Sequence, residues 1–155
     1  MSPPTARPGH PVVGVDATPL LGPRTGIGAF VAGLITAVHE RRQVAFRAYG
    51  LTLRGWRDLA AALPSGVGAR PRPLPAGAAL WGWARTDHPT IEWWTGAVDV
   101  VHGTNFVVPP AAWAARLVTV YDLTSLHHPE WCEPTARRYP HLVRRAIGAG
   151  AWVHT

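Results

Sequence analysis

The chain has 155 residues, 47% of them hydrophobic, which is enough for one domain with a real core and excludes a disordered polypeptide. Its fifteen basic residues, all Arg, outnumber nine acidic ones, and the formal net charge of +6 favours anionic partners such as nucleotide phosphates, acidic lipid surfaces or nucleic acid. An all-Arg basic set fits a GC-rich coding sequence as well as a demand for guanidinium groups, while the single cysteine, Cys132, excludes an internal disulfide framework and is compatible with a reducing cytoplasm.

Residues 1 to 11, MSPPTARPGHP, read as a disordered Pro-rich leader without the apolar region of a secretion signal, so a cytoplasmic protein is expected. Residues 12 to 155 read as one domain. The stretch 12 to 16 (VVGVD) predicts a buried strand, and 27 to 42 an amphipathic helix whose Ile27, Phe30, Val31, Leu34, Ile35 and Val38 recur at helical spacing. Its most apolar part, residues 28 to 38, falls well short of the roughly 20 residues that cross a bilayer. A second strand over 44 to 49 completes a βαβ unit. Residues 54 to 63 predict a short helix, the Pro- and Arg-rich segment that follows holds a short strand near 67 to 73, and a Trp-rich helix is expected over 78 to 95. Then come a strand leading to His102, a loop through Pro109 and Pro110, and a strand, RLVTVYD, ending on Tyr121 and Asp122. A basic helix over 134 to 148, which Pro140 should kink or interrupt, and a last strand, AWVHT, complete the pattern.

Strands alternating with helices predict an α/β fold: a doubly wound parallel sheet in a single Rossmann-like domain, whose ligand crevice lies outside the carboxyl ends of the strands. Polar residues collect at those ends: Asp16, the loop through Gly26 and Gly28, the run His102-Gly103-Thr104-Asn105, and Tyr121-Asp122. Glycines before a helix let the backbone approach a ligand, and the unpaired N–H groups of the first turn attract phosphate. The spacing Gly22-x3-Gly26-x-Gly28 is neither of the standard dinucleotide or P-loop patterns, and the chain has no Lys. A phosphate cradle and a tight strand-to-helix turn both remain open readings of this loop.

Three other groups compete for attention. His127, His128 and Cys132 suit zinc by type, but they lack a CxxC or HxxxH partner, and a packing cluster with Pro129 and Trp131 is the favoured reading. Arg137, Arg138, Arg144 and Arg145 lie opposite an apolar stripe of Tyr139, Leu142, Val143, Ala146 and Ile147, as on an ordinary solvated helix, and no nucleic-acid motif accompanies them. No nucleic-acid partner is therefore expected. Trp81, Trp83, Trp93 and Trp94 have the ring area to stack on sugars or bases, with packing again the favoured reading.

Residues 13 to 30 (VGVDATPLLGPRTGIGAF), 98 to 110 (VDVVHGTNFVVPP) and 116 to 132 (RLVTVYDLTSLHHPEWC) together resemble, in order and approximate spacing, the N-terminal domain of family 4 glycosyltransferases of the GT-B fold. In that family two Rossmann-like domains face each other, the first holding mainly the acceptor and the second the nucleotide-sugar donor. The resemblance covers the chain from residue 12 and reaches only the first domain. It implies retaining transfer of a sugar from a nucleotide-sugar to an acceptor hydroxyl, with no bound metal or other cofactor. Gly26, Ile27 and Gly28 would lie against the donor diphosphate; Asp16, His102, Thr104 and Asn105 would line the substrate cleft; Tyr121 and Asp122 would stand at the catalytic strand end. Tyr121 occupies the position where the family usually has His, and Ala29-Phe30 the position of a common Arg-Tyr. A phenol, with a reference pKa of about 10, cannot carry the positive charge that imidazole can. The implied partners are the donor, the acceptor and a donor-domain polypeptide, with room for peripheral contact at the anionic inner face of the membrane; without the donor domain the chain is expected to be inactive.

Overall fold

The computed structural model describes residues 9 to 23 and 25 to 155. The expected leader lies outside the described residues as far as residue 8. From there the elements run β1 (Val12–Asp16), α1 (Gly26–Glu40), β2 (Ala45–Tyr49), β3 (Gly68–Ala69), α2 (Ala76–Trp83), α3 (Glu92–Thr95), β4 (Val100–Gly103), β5 (Ala115–Thr119), α4 (Thr124–His127), α5 (Tyr139–Gly148) and β6 (Trp152–His154). The six strands form one sheet in the order β3-β2-β1-β4-β5-β6, every pair parallel. Strand order reverses at β1, so the chain is a doubly wound, Rossmann-like α/β domain, and the carboxyl ends of β1 and β4 flank the switch point where such sheets bind ligands.

Side-chain alternation along each strand sorts the core into two layers. Val15, Phe46 and Ala48 point to one face and pack with Val31 and Ile35 of α1 and with Leu59. Tyr49, Val101 and Val118 point to the other, against Leu80 and Trp83 of α2, Ile91, and Leu142 and Ala146 of α5. Each fully buried Val, Ile or Leu contributes about 1.5–3 kcal/mol, so these two layers supply most of the fold's driving force. Helix α1 starts where Thr25 caps it, its Oγ1 accepting the Gly28 N–H at 3.1 Å, and stops after Glu40, where Arg42 enters the left-handed region at φ 53°. Of its predicted stripe, Val31 and Ile35 are fully buried, whereas Phe30 lies at the margin and is 40% exposed.

Several expected elements are shorter or divided. The Trp-rich helix splits into α2 and α3 because Pro89 lacks an N–H and its carbonyl instead accepts the Trp83 indole N–H at 3.0 Å. Trp83 is buried and Trp94 half-buried, while Trp81 and Trp93 are exposed. The helix expected over 54 to 63 is only a 3-10 turn, Trp56–Asp58, followed by turns that bury Leu59. The basic helix begins later, after a 3-10 turn at Ala136–Arg138, and Pro140 does not kink it: it sits in the first turn of α5, where a missing N–H costs nothing. Strand β5 stops at Thr119, so Tyr121 and Asp122 belong to the following loop rather than to the strand end.

The loop after β4 is folded tightly on itself. Phe106 has φ 59°, an unusual conformation for a bulky residue, and its N–H donates to the Thr119 carbonyl at 3.0 Å. A Cβ on Gly103 would meet the Val107 carbonyl oxygen at 1.9 Å, so only glycine lets the loop close. Gly103→Ala should therefore destabilise the fold by about 3 kcal/mol, at the upper end for overpacking. Gly33→Ala, in the exposed middle of α1 with open space around it, should stabilise by up to about 1 kcal/mol through helix propensity. Urea denaturation of both variants checks the contrast, and equal midpoints would contradict the packing of the 103 to 108 loop.

Candidate functional site

The sheet delivers four strand ends to one edge. Asp16, the last residue of β1, is 2% exposed and pairs in register with Tyr49, the last of β2. Its Oδ1 accepts the Thr18 N–H at 2.9 Å and the Thr18 hydroxyl at 2.5 Å, a local turn that fixes the carboxyl beneath the loop. The Thr18 oxygen in turn accepts the Leu51 N–H at 2.7 Å, which ties the exit of β1 to that of β2. Across the switch point, the fully buried Thr104 hydroxyl donates to the Asp16 carbonyl at 2.7 Å, and the Tyr121 hydroxyl donates to the Thr104 carbonyl at 2.7 Å. Three exits, after β1, β4 and β5, are thus joined by two side-chain hydroxyls.

Electrostatically the centre of this edge is a buried carboxyl. No cationic group among the described residues lies within 4.0 Å of Asp16, and burial pushes its pKa up from 3.8 to about 6 against the opposing hydrogen bonds from Thr18. Burial, and then the Asp16 charge, raise the phenols of Tyr49, Tyr121 and Tyr139, so three tyrosines gather around one acid. The Tyr49 hydroxyl is buried without a hydrogen-bond partner among the described residues. His102, on the α1 side of the sheet, shares a 2.8 Å hydrogen bond with the Thr119 hydroxyl, which also lies 3.4 Å from Nδ1 of His154. Burial, with a smaller contribution from His154, lowers the His102 pKa to about 4, so its ring is neutral at pH 7.

The Gly-rich loop divides between two roles. A Cβ on Gly28 would stand 2.6 Å from the Pro19 carbonyl oxygen, so this glycine is required for α1 to pack on the 18 to 20 turn. Gly26 faces open space, and among the described residues the N–H groups of Gly26 and Ile27 have no acceptor, which leaves the first turn of α1 free for an anion. Phe30, one turn further on, sets its ring edge-on to Tyr121 at 5.6 Å and near-parallel to His154 at 6.2 Å. On the other side of Tyr121, Phe106 lies at 5.8 Å and stacks in turn on Tyr139 at 5.3 Å. The start of α1, the exits of β4 and β5 and the start of α5 therefore share one aromatic row.

Of the residues singled out by sequence, Asp16, Thr104 and Tyr121 are brought into one hydrogen-bonded chain, and Gly26 and Ile27 stand near it through Phe30. His102 belongs to the core beneath. Asn105 is half-buried with no side-chain partner among the described residues, and Asp122 is exposed, its Oδ1 accepting the Thr124 N–H at 2.8 Å to start α4. Asp122 also borders a small apolar groove of about 80 Å³ floored by Phe106 and Tyr139. Sequence reasoning missed Thr18, Tyr49, Phe106 and Thr119; only the Asp-x-Thr spacing of 16 to 18 carried a signal, as an Asx turn. Among the described residues no group of three or more His, Cys, Asp or Glu is placed to hold a metal ion, and the His128 ring stacks on Trp131 at 4.1 Å. No helix among them is long and apolar enough to cross a membrane. Comparison of the chain with protein-family models, curated proteins and solved structures finds no match.

Two buried groups should give the stability opposite pH slopes. The Asp16 carboxyl holds its proton up to about pH 6 in the fold but only to 3.8 when unfolded, so its contribution is complete below the lower value and lost as pH rises through the higher. His102 is charged below 6.5 when unfolded but only below about 4 in the fold, so its contribution is present above 6.5 and lost as pH falls. Each amounts to about 3 kcal/mol and the two nearly cancel between pH 4 and 6. Relative to the parent chain, Asp16→Asn should gain stability as pH rises across that window and His102→Gln should lose it. Denaturant midpoints at pH 4, 5, 6 and 7 measure this, and parallel profiles for all three proteins would refute the assignment.

Proposed function

We propose that the chain is the acceptor-side domain of a retaining glycosyltransferase of the GT-B type, which works with a donor-binding domain that is either continuous with it or separate. One observation carries the reading: motif residues separated by up to 105 positions, Asp16, Thr104 and Tyr121, join at one sheet edge beside an α1 N-terminus whose first two N–H groups are unpaired among the described residues. In this reading Gly26 and Ile27 turn those N–H groups to the donor diphosphate, where a helix terminus favours negative charge. Asn105 and Asp122 supply polar groups toward the acceptor hydroxyl and the transferred sugar. Catalysis of this kind is mostly positioning and charge stabilisation in a water-poor cleft, and it calls on no metal. The partners are a nucleotide-sugar, a hydroxyl-bearing acceptor and the donor domain, met in the cytoplasm or at the anionic inner face of the membrane.

A second reading has its own support. The Tyr121 hydroxyl is used on the Thr104 carbonyl and the His102 ring on Thr119, which favours a non-catalytic domain that binds an acceptor or a partner. Fusion of the chain to the donor domain of a retaining GT-B enzyme, assayed with UDP-, GDP- and ADP-sugars, separates the two. The transferase reading expects sugar transfer by the fusion and none by the chain alone. Tyr121→His should then raise kcat by about ten- to a hundredfold, since an imidazole can carry charge as the sugar–phosphate bond breaks. Gly26→Val should lower transfer at least about tenfold with an unchanged circular dichroism spectrum, because the added side chain enters open space in front of the helix rather than the core. No transfer by either the parent or the Tyr121→His fusion would leave the binding-domain reading standing; a Tyr121→His rate no higher than that of an active parent would mean that Tyr121 marks no loss of catalysis, and full activity of the Gly26→Val form would remove Gly26 from the donor site.

A further inference from the structure

On the sheet face opposite α1, the last turn of α2 and the start of α5 enclose an open groove of about 560 Å³ lined by Trp81, Ala84, Arg85, Arg137, Arg138 and His141. It shares no residue with the strand-end site. Three of its six residues are guanidinium groups, and none is acidic. Like charges gathered so closely repel one another, and they are usually neutralised by nearby carboxylates. That happens at Arg145, one turn further along α5, which meets Asp87 at 3.0 Å. In the groove it does not: among the described residues no carboxylate oxygen lies within 4.0 Å of Arg85, Arg137 or Arg138.

Two of the three cations are nevertheless held in place. The Arg85 guanidinium lies 4.3 Å from the centre of the Trp81 ring, and its terminal nitrogen donates to the Trp81 carbonyl at 2.9 Å. Nε of Arg137 donates to the Cys132 carbonyl at 3.0 Å, which fixes the root of the side chain and leaves its terminal NH2 groups to other acceptors. Nε2 of His141 donates to the Ala84 carbonyl at 3.1 Å and so fastens α5 to the end of α2. Arg138 makes no hydrogen bond to any described residue through its side chain. Unneutralised guanidinium forks, two of them tethered, match the oxygens of a phosphate group, and the groove's size falls within the roughly 300–1,000 Å³ of small-ligand sites.

We propose that this groove binds a phosphomonoester or diphosphate group, with Arg85, Arg137 and Arg138 donating to its oxygens and the 57% exposed Trp81 offering an apolar wall to whatever the phosphate is attached to. The phosphate has two sources, a lipid headgroup at a membrane surface or a free phosphorylated molecule, and the probes distinguish them. Calorimetric titration with inorganic pyrophosphate measures the free group. Co-sedimentation with phosphatidylcholine vesicles containing phosphatidate, against phosphatidylcholine alone, measures the headgroup. Binding of at least one probe is expected below about 1 mM. Arg138→Gln, whose side chain has no partner to lose, and Arg137→Gln/Arg138→Gln should weaken it by about tenfold or more. Arg85→Lys, which keeps the charge but not the fork, should weaken it several-fold. The exposed pair Arg41→Gln/Arg42→Gln, at the far end of α1, removes the same charge and should change binding less than about twofold. Failure of both probes to bind, or equal weakening by the Arg41/Arg42 pair, would overturn the proposal; the latter would mean diffuse attraction to a basic protein. The transferase reading can fail without affecting this result, because the groove lies apart from the strand ends.

Discussion

A parallel sheet runs out of hydrogen-bond partners where its strands end, and the buried Asp16 carbonyl at the switch point meets that shortage. It is met by one hydroxyl, that of Thr104, across 88 residues of sequence. A carbonyl left unpaired in that position costs about 1–3 kcal/mol. The cost would not stop there, because Thr104 offers its own carbonyl to Tyr121, and Tyr121 in turn supports Phe30 and Phe106. The orientation of the α1 start relative to the loops after β4 and β5 therefore rests on a single donor. The tight 103 to 108 loop follows from the same requirement: Gly103 and the left-handed Phe106 bring Thr104 to the carbonyl while the Phe106 N–H reaches back to β5.

The strands and their parallel arrangement were legible because apolar runs such as VVGVD and RLVT alternate with helical spacing, and burial on both sheet faces demands that composition. Element ends were less legible. Pro140 looked like an interruption and is a beginning, since the same missing N–H is harmful inside a helix and harmless in its first turn. Pro89 does interrupt, because it falls between Trp83 and Ile91 rather than in a first turn.

The candidate site shows the same division. That polar residues follow apolar strands was visible; what each would touch was not, because partners lie far away in sequence. Gly26 and Gly28 are two residues apart and look alike, yet one faces open space and the other touches the Pro19 carbonyl. His102 follows an apolar run as a cleft residue would, but strand alternation turns its ring under α1 toward Thr119. Tyr49 carried no signal at all: only the parallel register of β1 and β2 brings its phenol beside Asp16.

The two edges of the sheet are not alike. Strand β3 is two residues long and runs directly into Arg70-Pro71-Arg72-Pro73, so half of the next four residues have no N–H to offer and the others carry charge. Such a border discourages the docking of another strand. Strand β6 carries no proline, and its Trp152 and Val153 are 74% and 43% exposed. Among the described residues the two edges therefore differ as templates: a strand laid beside β6 meets a proline-free, apolar border, and one laid beside β3 meets a border broken by proline and charge.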